Sequence, residues 1–332
     1  LYASTVNTTN LIADGIDLTL RVGNTYYVAE NGDDSNTGDH TSSPFSSIKF
    51  ALQTATAGET VFVYPGEYVE EFPITVPQGV TLRGMDIRSV KIVPTTDTRY
   101  NDAFLLNGES TVEDLTVADF YSGGNFFEAV SGGFETTTFN VGTSPFAHTY
   151  VSGGTITIGG TERDILSAVY THTTGELVIT HSSGSTTTGT NYFIKGLTFS
   201  CNGGTRVFPD NGYAFRFATD FEVTSRSPYI RNITVITQGS TTTAEDPRGF
   251  NAGDAGKGAY IDGAYATTNS REAAMLFHSA TFITPGVDAI TATNGARIEW
   301  LNSFTSFATR SMYAFDSNDG LYGDGKTRIR LS

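Results

Sequence analysis

Val112-Glu113-Asp114-Leu115-Thr116-Val117 decides the fold, because its spacing of apolar residues recurs along the chain. The pattern is apolar at the first, fourth and sixth places. It returns at Ile194-Lys195-Gly196-Leu197-Thr198-Phe199, at Ile230-Arg231-Asn232-Ile233-Thr234-Val235 and at Phe277-His278-Ser279-Ala280-Thr281-Phe282. A weaker copy, Ile298-Glu299-Trp300-Leu301-Asn302-Ser303, loses the last apolar place. A plain strand alternates with period two, so an interval of three between inward residues requires a bend. Two short strands meeting at a corner satisfy it: the first and fourth residues point inward, the two between round the corner, and alternation brings the sixth back in. The last two copies begin 21 residues apart, about one coil of a stacked β structure, and such self-similarity marks repeat architectures. The fold expected is all-β, a right-handed parallel β-helix.

Stacked coils place equivalent residues in columns. The fifth places, Thr116, Thr198, Thr234, Thr281 and Asn302, are expected to form an outward ladder, and the second places, Glu113, Lys195, Arg231, His278 and Glu299, a charged column with His278 against Glu299. Threonine suits an exposed strand and alternating charge keeps a sheet soluble. The threonine ladder is also the candidate glycan-contact face.

Working outward, residues 1–27 read as a lead-in, and Asn31-Gly32-Asp33-Asp34-Ser35-Asn36-Thr37-Gly38 as a loop. Phe45, Ile48, Leu52 and Ala55 then fall on one helical face, with Ser43 as N-cap and Pro44 at the first helical position. A single amphipathic helix ahead of the strands covers the apolar end of the first coil. The cap and first coils are assigned to 28–127 and the later coils to 193–332. Between them, 128–192 holds sixteen threonines and the pairs Gly132-Gly133, Gly153-Gly154 and Gly159-Gly160. It reads as an antiparallel β insertion with a hairpin near Thr174-Gly175. Pairing Thr173 with Glu176 sets His172 opposite Leu177 and His181 opposite Ala168, so His148, His172 and His181 do not gather as metal ligands.

The charge of −15, from 35 acidic and 20 basic residues, repels phosphate backbones and makes nucleic acid a poor partner. Cys201 is the single cysteine, so no internal disulfide forms. No apolar run reaches the ~20 residues of a membrane helix. The start at Leu1, without Met or a signal-like segment, is expected of a processed product or a piece of a longer chain.

Polysaccharide-cleaving chemistry on a β-helix needs two or three carboxylates across a groove, or clustered carboxylates with a basic residue. The densest polar stretch, Asp246 to Gly263, reads as a glycine-rich loop leading into a strand. For an enzyme the catalytic candidates are Asp254, Asp262 and Asp288, with Lys257 and Tyr260 as binding residues; Asp210, Asp246, Arg248 and Arg271 are further polar material. Loop aspartates also cap turns, which explains the same residues without chemistry. The interval Gly253 to Gly258 lacks phosphate-loop spacing. Two loops, Asp33 to Gly38 and Asp316 to Gly320, have the composition of calcium loops but lack the glutamate at position twelve. No cofactor is assigned: the two loops invite calcium by composition, and turn formation suffices to explain both.

Tyr26 to Asp34, Pro44 to Leu52 and Gly58 to Tyr68 together resemble the amino-terminal cap and first coils of pectate-lyase-like β-helix proteins. That family includes lyases, hydrolases, adhesins and phage spikes, so the resemblance implies the fold and leaves activity open. Gly253 to Ala264, Ala274 to Ile290 and Asn294 to Thr305 resemble virion structural proteins of marine cyanophages, of the tail-fibre or tail-appendage type. This resemblance spans about 26–330. It implies an extracellular virion component that meets other virion proteins and a host-surface polysaccharide, and it carries no catalytic residue over. Rods of this kind are often trimeric, with Phe126, Phe127, Phe134 and Phe139 as the faces implied for a homotrimer.

Overall fold

The computed structural model describes residues 12–13, 16–17, 24–144, 147–201, 204–208, 211–218, 227–239, 254–263, 274–315 and 327–331. Among these the protein is nearly all-β, and most of its strands stack in parallel. One sheet runs, each strand bonded to the next, through Thr25–Val28, Thr60–Val63, Thr81–Gly84, Thr111–Ala118, Tyr229–Ile236, Ala274–Ile283, Arg297–Leu301 and Arg328–Leu331. A second runs through Ile74–Val76, Phe104–Leu106, Tyr213–Phe217, Lys257–Asp262, Ile290–Thr293 and Tyr313–Phe315. Six successive passes of the chain, from Thr60 to Phe315, leave a strand in both sheets, each pass lying on the one before, and the walls enclose one apolar interior.

Register explains why the pattern of apolar residues has this effect. Val61, Leu82, Val112, Ile230, Phe277 and Trp300 are partners in sequence across one wall, all buried. Ile74, Phe104, Phe215, Ala259 and Ile290 do the same in the other. A one-residue slip would turn every one of them to water.

The bend expected inside the six-residue pattern is present and has a conformational cause. Asp114, Asn232, Ser279 and Asn302 all take positive φ, from 46° to 59°, a region that Asn and Asp enter more readily than other side chains. The corner residues also bond to one another: Asn232 Nδ2 donates to Asp114 Oδ1 at 2.7 Å and Asn302 Nδ2 to Ser279 Oγ at 3.1 Å. Asn232→Val is therefore expected to cost about 2 kcal/mol, combining left-handed strain with the lost bond. Asn232→Gly should cost less, and urea midpoints of the two variants check the order.

The weak fifth copy sits two residues further along than the sequence pattern places it. Phe277 pairs with Trp300 and His278 with Leu301, so Asn302 belongs to the corner and Phe304 is the partner of Thr281. Glu299 lies beside Leu276 and Arg330 instead of His278. The sequence frame fails here because Trp300, read as a corner residue, is an interior one.

The helix is Ile48–Thr54, with Ser47 as N-cap accepting from Phe50 N. Ser43 and Pro44 precede it, and Phe45 forms a bridge with Val28 instead of a first helical turn. Phe45, Ile48, Leu52 and Ala55 are nevertheless all buried at the end of the core.

A closed antiparallel barrel interrupts the coils, in the order Gly124–Gly132, Phe134–Asn140, Glu176–Ser185, Thr161–Thr171, Thr155–Ile158, Asn191–Lys195. Beside it Leu197–Cys201 pairs with Thr149–Ser152 and Gly204–Phe208. The antiparallel part thus begins before 128 and runs past 192. It takes in the second copy of the pattern, whose Gly196 has the corner's positive φ although its strands pair antiparallel. The hairpin pairs Thr171 with Glu176 and Tyr170 with Leu177, and His181 lies near Ile165. The turn is longer than expected, and a bulge between Ile165 and Ser167 shifts the far end. Phe139 is fully buried in the barrel and Phe127 packs against the same core. Phe126 and Phe134 are the exposed members of the four.

Candidate functional site

Three of the four threonines expected in one column meet there. Thr116 pairs with Thr234 and Thr234 with Thr281, each half-buried on the outer face, spaced ~4.8 Å apart as neighbouring strands are. Thr198 is in the antiparallel part, paired with Ser152 and Val207. Thr116 is also committed: its hydroxyl donates to Ile87 O at 2.6 Å. The column continues on one side to Lys91, which binds Glu67 and Asp119.

A second hydroxyl column lies outside the six-residue repeat. Thr25, Thr60, Thr81 and Thr111 are successive partners on the same outer face. The signal was readable as a threonine opening each short strand, Thr25-Tyr26, Thr60-Val61, Thr81-Leu82 and Thr111-Val112. The first three of these strands are four residues long, too short to show the six-place pattern. Two residues on, the same strands present Tyr27, Phe62, Arg83 and Glu113.

The charged column is an ion-pair ladder of three coils. Glu113, only 4% exposed, lies between Arg83, at 3.5 Å, and Arg231, whose Nε donates to the other carboxylate oxygen. Arg83 also meets Asp114 at 3.2 Å. The Arg231 guanidinium pKa is raised by this hydrogen bond and by the carboxylate's charge. Lys195, expected in this ladder, instead binds Glu162 in the barrel.

On the second sheet Lys257 and Tyr260 gather around a residue that sequence reasoning missed. Lys257 Nζ stands 4.7 Å from the Tyr213 ring centre, and the Tyr213 and Tyr260 rings are 5.2 Å apart. Arg216 lies over both rings, at 5.3 and 4.5 Å, while its guanidinium binds Asp102 at 2.9 Å. Asp102 also accepts from Tyr213 N. Tyr213 and Tyr260 are 2% and 5% exposed, so this cluster is not an open stacking platform.

Of the three candidate carboxylates, Asp262 stands apart from the other two. Asp254 precedes the strand Lys257–Asp262 and Asp262 ends it, and the strand itself is roughly 16 Å long at ~3.3 Å per residue. Glycosidase carboxyl pairs stand ~5–9.5 Å apart. Asp262 accepts from Tyr260 Oη at 3.0 Å and Asn294 Nδ2 at 2.7 Å. Asp288 precedes Ile290, the partner of Ala259, so it sits at the other end from Asp262, in a bidentate pair with Arg310 at 2.5 and 2.7 Å. The backbone around Asp254 is pinned to 120–122: Ser122 N donates to Asp254 O and Gly256 N to Phe120 O. Asp210, Asp246, Arg248 and Arg271 lie outside the described residues.

His172 Nδ1 meets Ser144 O, His181 Nε2 meets Thr137 Oγ1, and His148 packs among Tyr170, Phe199 and Phe208. Among the described residues no three His, Cys, Asp or Glu side chains are grouped to hold a metal ion. Asp33 accepts from Ser35 N, which lowers its carboxyl pKa, and Asp34 accepts from Ser46 N and Ser47 N. Asp33 thus holds a turn of its own loop and Asp34 the turn into the helix; the loop 316–320 lies outside the described residues. Among the described residues no helix is long and apolar enough to cross a membrane.

Among solved structures the chain is similar to a rhamnogalacturonan lyase, at 11% identity and a TM-score of 0.38, covering 93% of this chain and 67% of that one. It is similar to the pectin methylesterase PemA from Erwinia chrysanthemi at 9% identity and a TM-score of 0.33, with 92% of each chain covered. A protein described as Geobacillus virus E2 ORF18 gives 10% identity and a TM-score of 0.31, covering 86% of this chain and 43% of that one. No curated protein matches the sequence. The stretch from the first-coil loop through the capping helix, the early coils and the barrel, residues 30–202, matches the family model described as a protein of unknown function, DUF1565; it is more than half of the chain, which belongs to that family.

Proposed function

We propose that the chain is a right-handed parallel β-helix of the pectate-lyase-like type, serving as a tail fibre or tail appendage of a phage virion. It works outside the cell as a stiff element, joined to other virion proteins, assembled as a homotrimer and facing a host-surface polysaccharide. Support for the hand comes from the strong right-handed preference of parallel crossovers. Support for the virion setting comes from the carboxy-terminal resemblance quoted above.

The observation that carries a structural reading over a polysaccharide lyase or hydrolase is the fate of the candidate acids. Asp262 is separated from Asp254 and Asp288 by a strand's length, and Asp288 is held by Arg310. A carboxylate in a bidentate arginine pair is poorly placed to hold or take a proton in a reaction.

Incubating the protein with host-surface polysaccharide separates the readings. Co-sedimentation with the polymer, with no new reducing ends and no unsaturated sugars, is the expected result. Depolymerisation that Asp262→Asn abolishes would overturn it. Peptide mass mapping of purified particles should find this chain in the virion.

A further inference from the structure

We propose that the outer face of the first coils is a binding platform for an uncharged glycan, built on Tyr27, Phe62 and Tyr64. This rests on the glycan-facing reading above and gives it a place and a ligand class. Tyr27 pairs with Phe62 across the sheet, and their rings stand 6.2 Å apart. Tyr64 is two residues beyond Phe62 on the same face, 6.1 Å from Tyr27 and within 26° of parallel to it. Phe62 meets Tyr64 edge-on at 5.5 Å. All three residues are half-buried, each keeping part of its surface open on the outer face. Met85 extends the patch: it follows Gly84, the partner of Val63, and is 55% exposed.

Single exposed apolar residues are ordinary, but a contiguous set on one flat face marks a contact surface. The chemistry of its surroundings selects the partner. Thr25, Thr60, Thr81 and Thr111 run beside the rings in a line of hydroxyls. Aromatic faces next to a hydroxyl row match a sugar ring, which has an apolar C–H face and a rim of hydroxyls.

Charge then narrows the class. The cation next to Phe62 in the sheet, Arg83, is already neutralised by Glu113 and Asp114. The chain carries −15 overall, which repels a polyuronate. An uncharged saccharide meets neither obstacle.

The test is titration calorimetry of the full chain with hexasaccharides of glucose, mannose and galactose, and with hexagalacturonate. At least one neutral hexasaccharide is expected to bind and the uronate not to. Phe62→Leu and Tyr64→Leu keep apolar bulk but remove a ring, and each should weaken binding about tenfold. Undiminished neutral binding in both variants overturns the platform while leaving the glycan reading intact. Preference for the uronate overturns the platform's ligand class. No binding by any hexasaccharide or by host-surface polysaccharide removes both. Protection of Tyr27 and Tyr64 from nitration by the bound hexasaccharide, read by peptide mass in the wild type, tests the contact without a variant; unprotected tyrosines overturn it.

Discussion

Phe215→Ala is expected to lower the unfolding free energy by about 3–5 kcal/mol, the range for deleting a buried phenylalanine ring. Phe215 is fully buried midway along the stack, paired with Phe104 on one coil and Ala259 on the next. Its ring lies 5.8 Å from Phe104 and 6.3 Å from Phe282, near parallel to both, and meets Phe277 in a T at 6.0 Å. Ala259 is too small to reach into the space the ring leaves, and hydrogen-bonded walls on both sides limit collapse. The measurement is urea unfolding followed by Trp300, the single tryptophan, whose ring touches Phe277 and Phe282. A loss below about 1 kcal/mol would mean that the coils close around the gap.

Glu70→Ala is expected to cost about 2–3 kcal/mol, because one side chain satisfies several groups at the start of the capping helix. Glu70 is 4% exposed and accepts from Ile48 N at 2.5 Å, Lys49 N at 3.3 Å and Ser47 Oγ at 3.1 Å. Burial raises its carboxyl pKa above 4.5, and the three hydrogen bonds pull it partly back. The native state therefore holds a proton at pH values where the unfolded chain has released it. The stabilisation from that proton is complete below the unfolded value and is lost as pH rises through the native one. Glu70→Gln cannot titrate, so wild type should lose stability relative to it as pH climbs from about 4.5 towards neutrality. Paired thermal melts across that range read the difference; an opposite slope would show that hydrogen bonding outweighs burial.

Much of this fold was legible because the corner leaves a trace in sequence. The inward residues on either side of it are three apart, and Asp114, Asn232 and Ser279 stand between them where positive φ is needed. Frame was less legible. Ile298 and Leu301 fit the pattern as well as Trp300 does, and only pairing with Phe277 settles the register. The antiparallel part carries a copy of the repeat, since Ile194, Leu197 and Phe199 face a core too; apolar spacing reports burial and a turn, not which partner lies alongside. The candidate site was least legible. Lys257 and Tyr260 could be picked from one loop and strand, but Tyr213, Arg216 and Asp102 come from other coils, and no local pattern joins them.

Thr111–Ala118 and Tyr229–Ile236, which flank the barrel in sequence, are bonded directly to each other along their whole length. Phe104–Leu106 and Tyr213–Phe217 close the same gap on the opposite wall. A pull along the stacking axis thus passes from coil to coil through these ladders and bypasses the barrel, which hangs off the load path as a side branch. A change in the barrel's length would therefore leave these ladders to hold the two walls continuous.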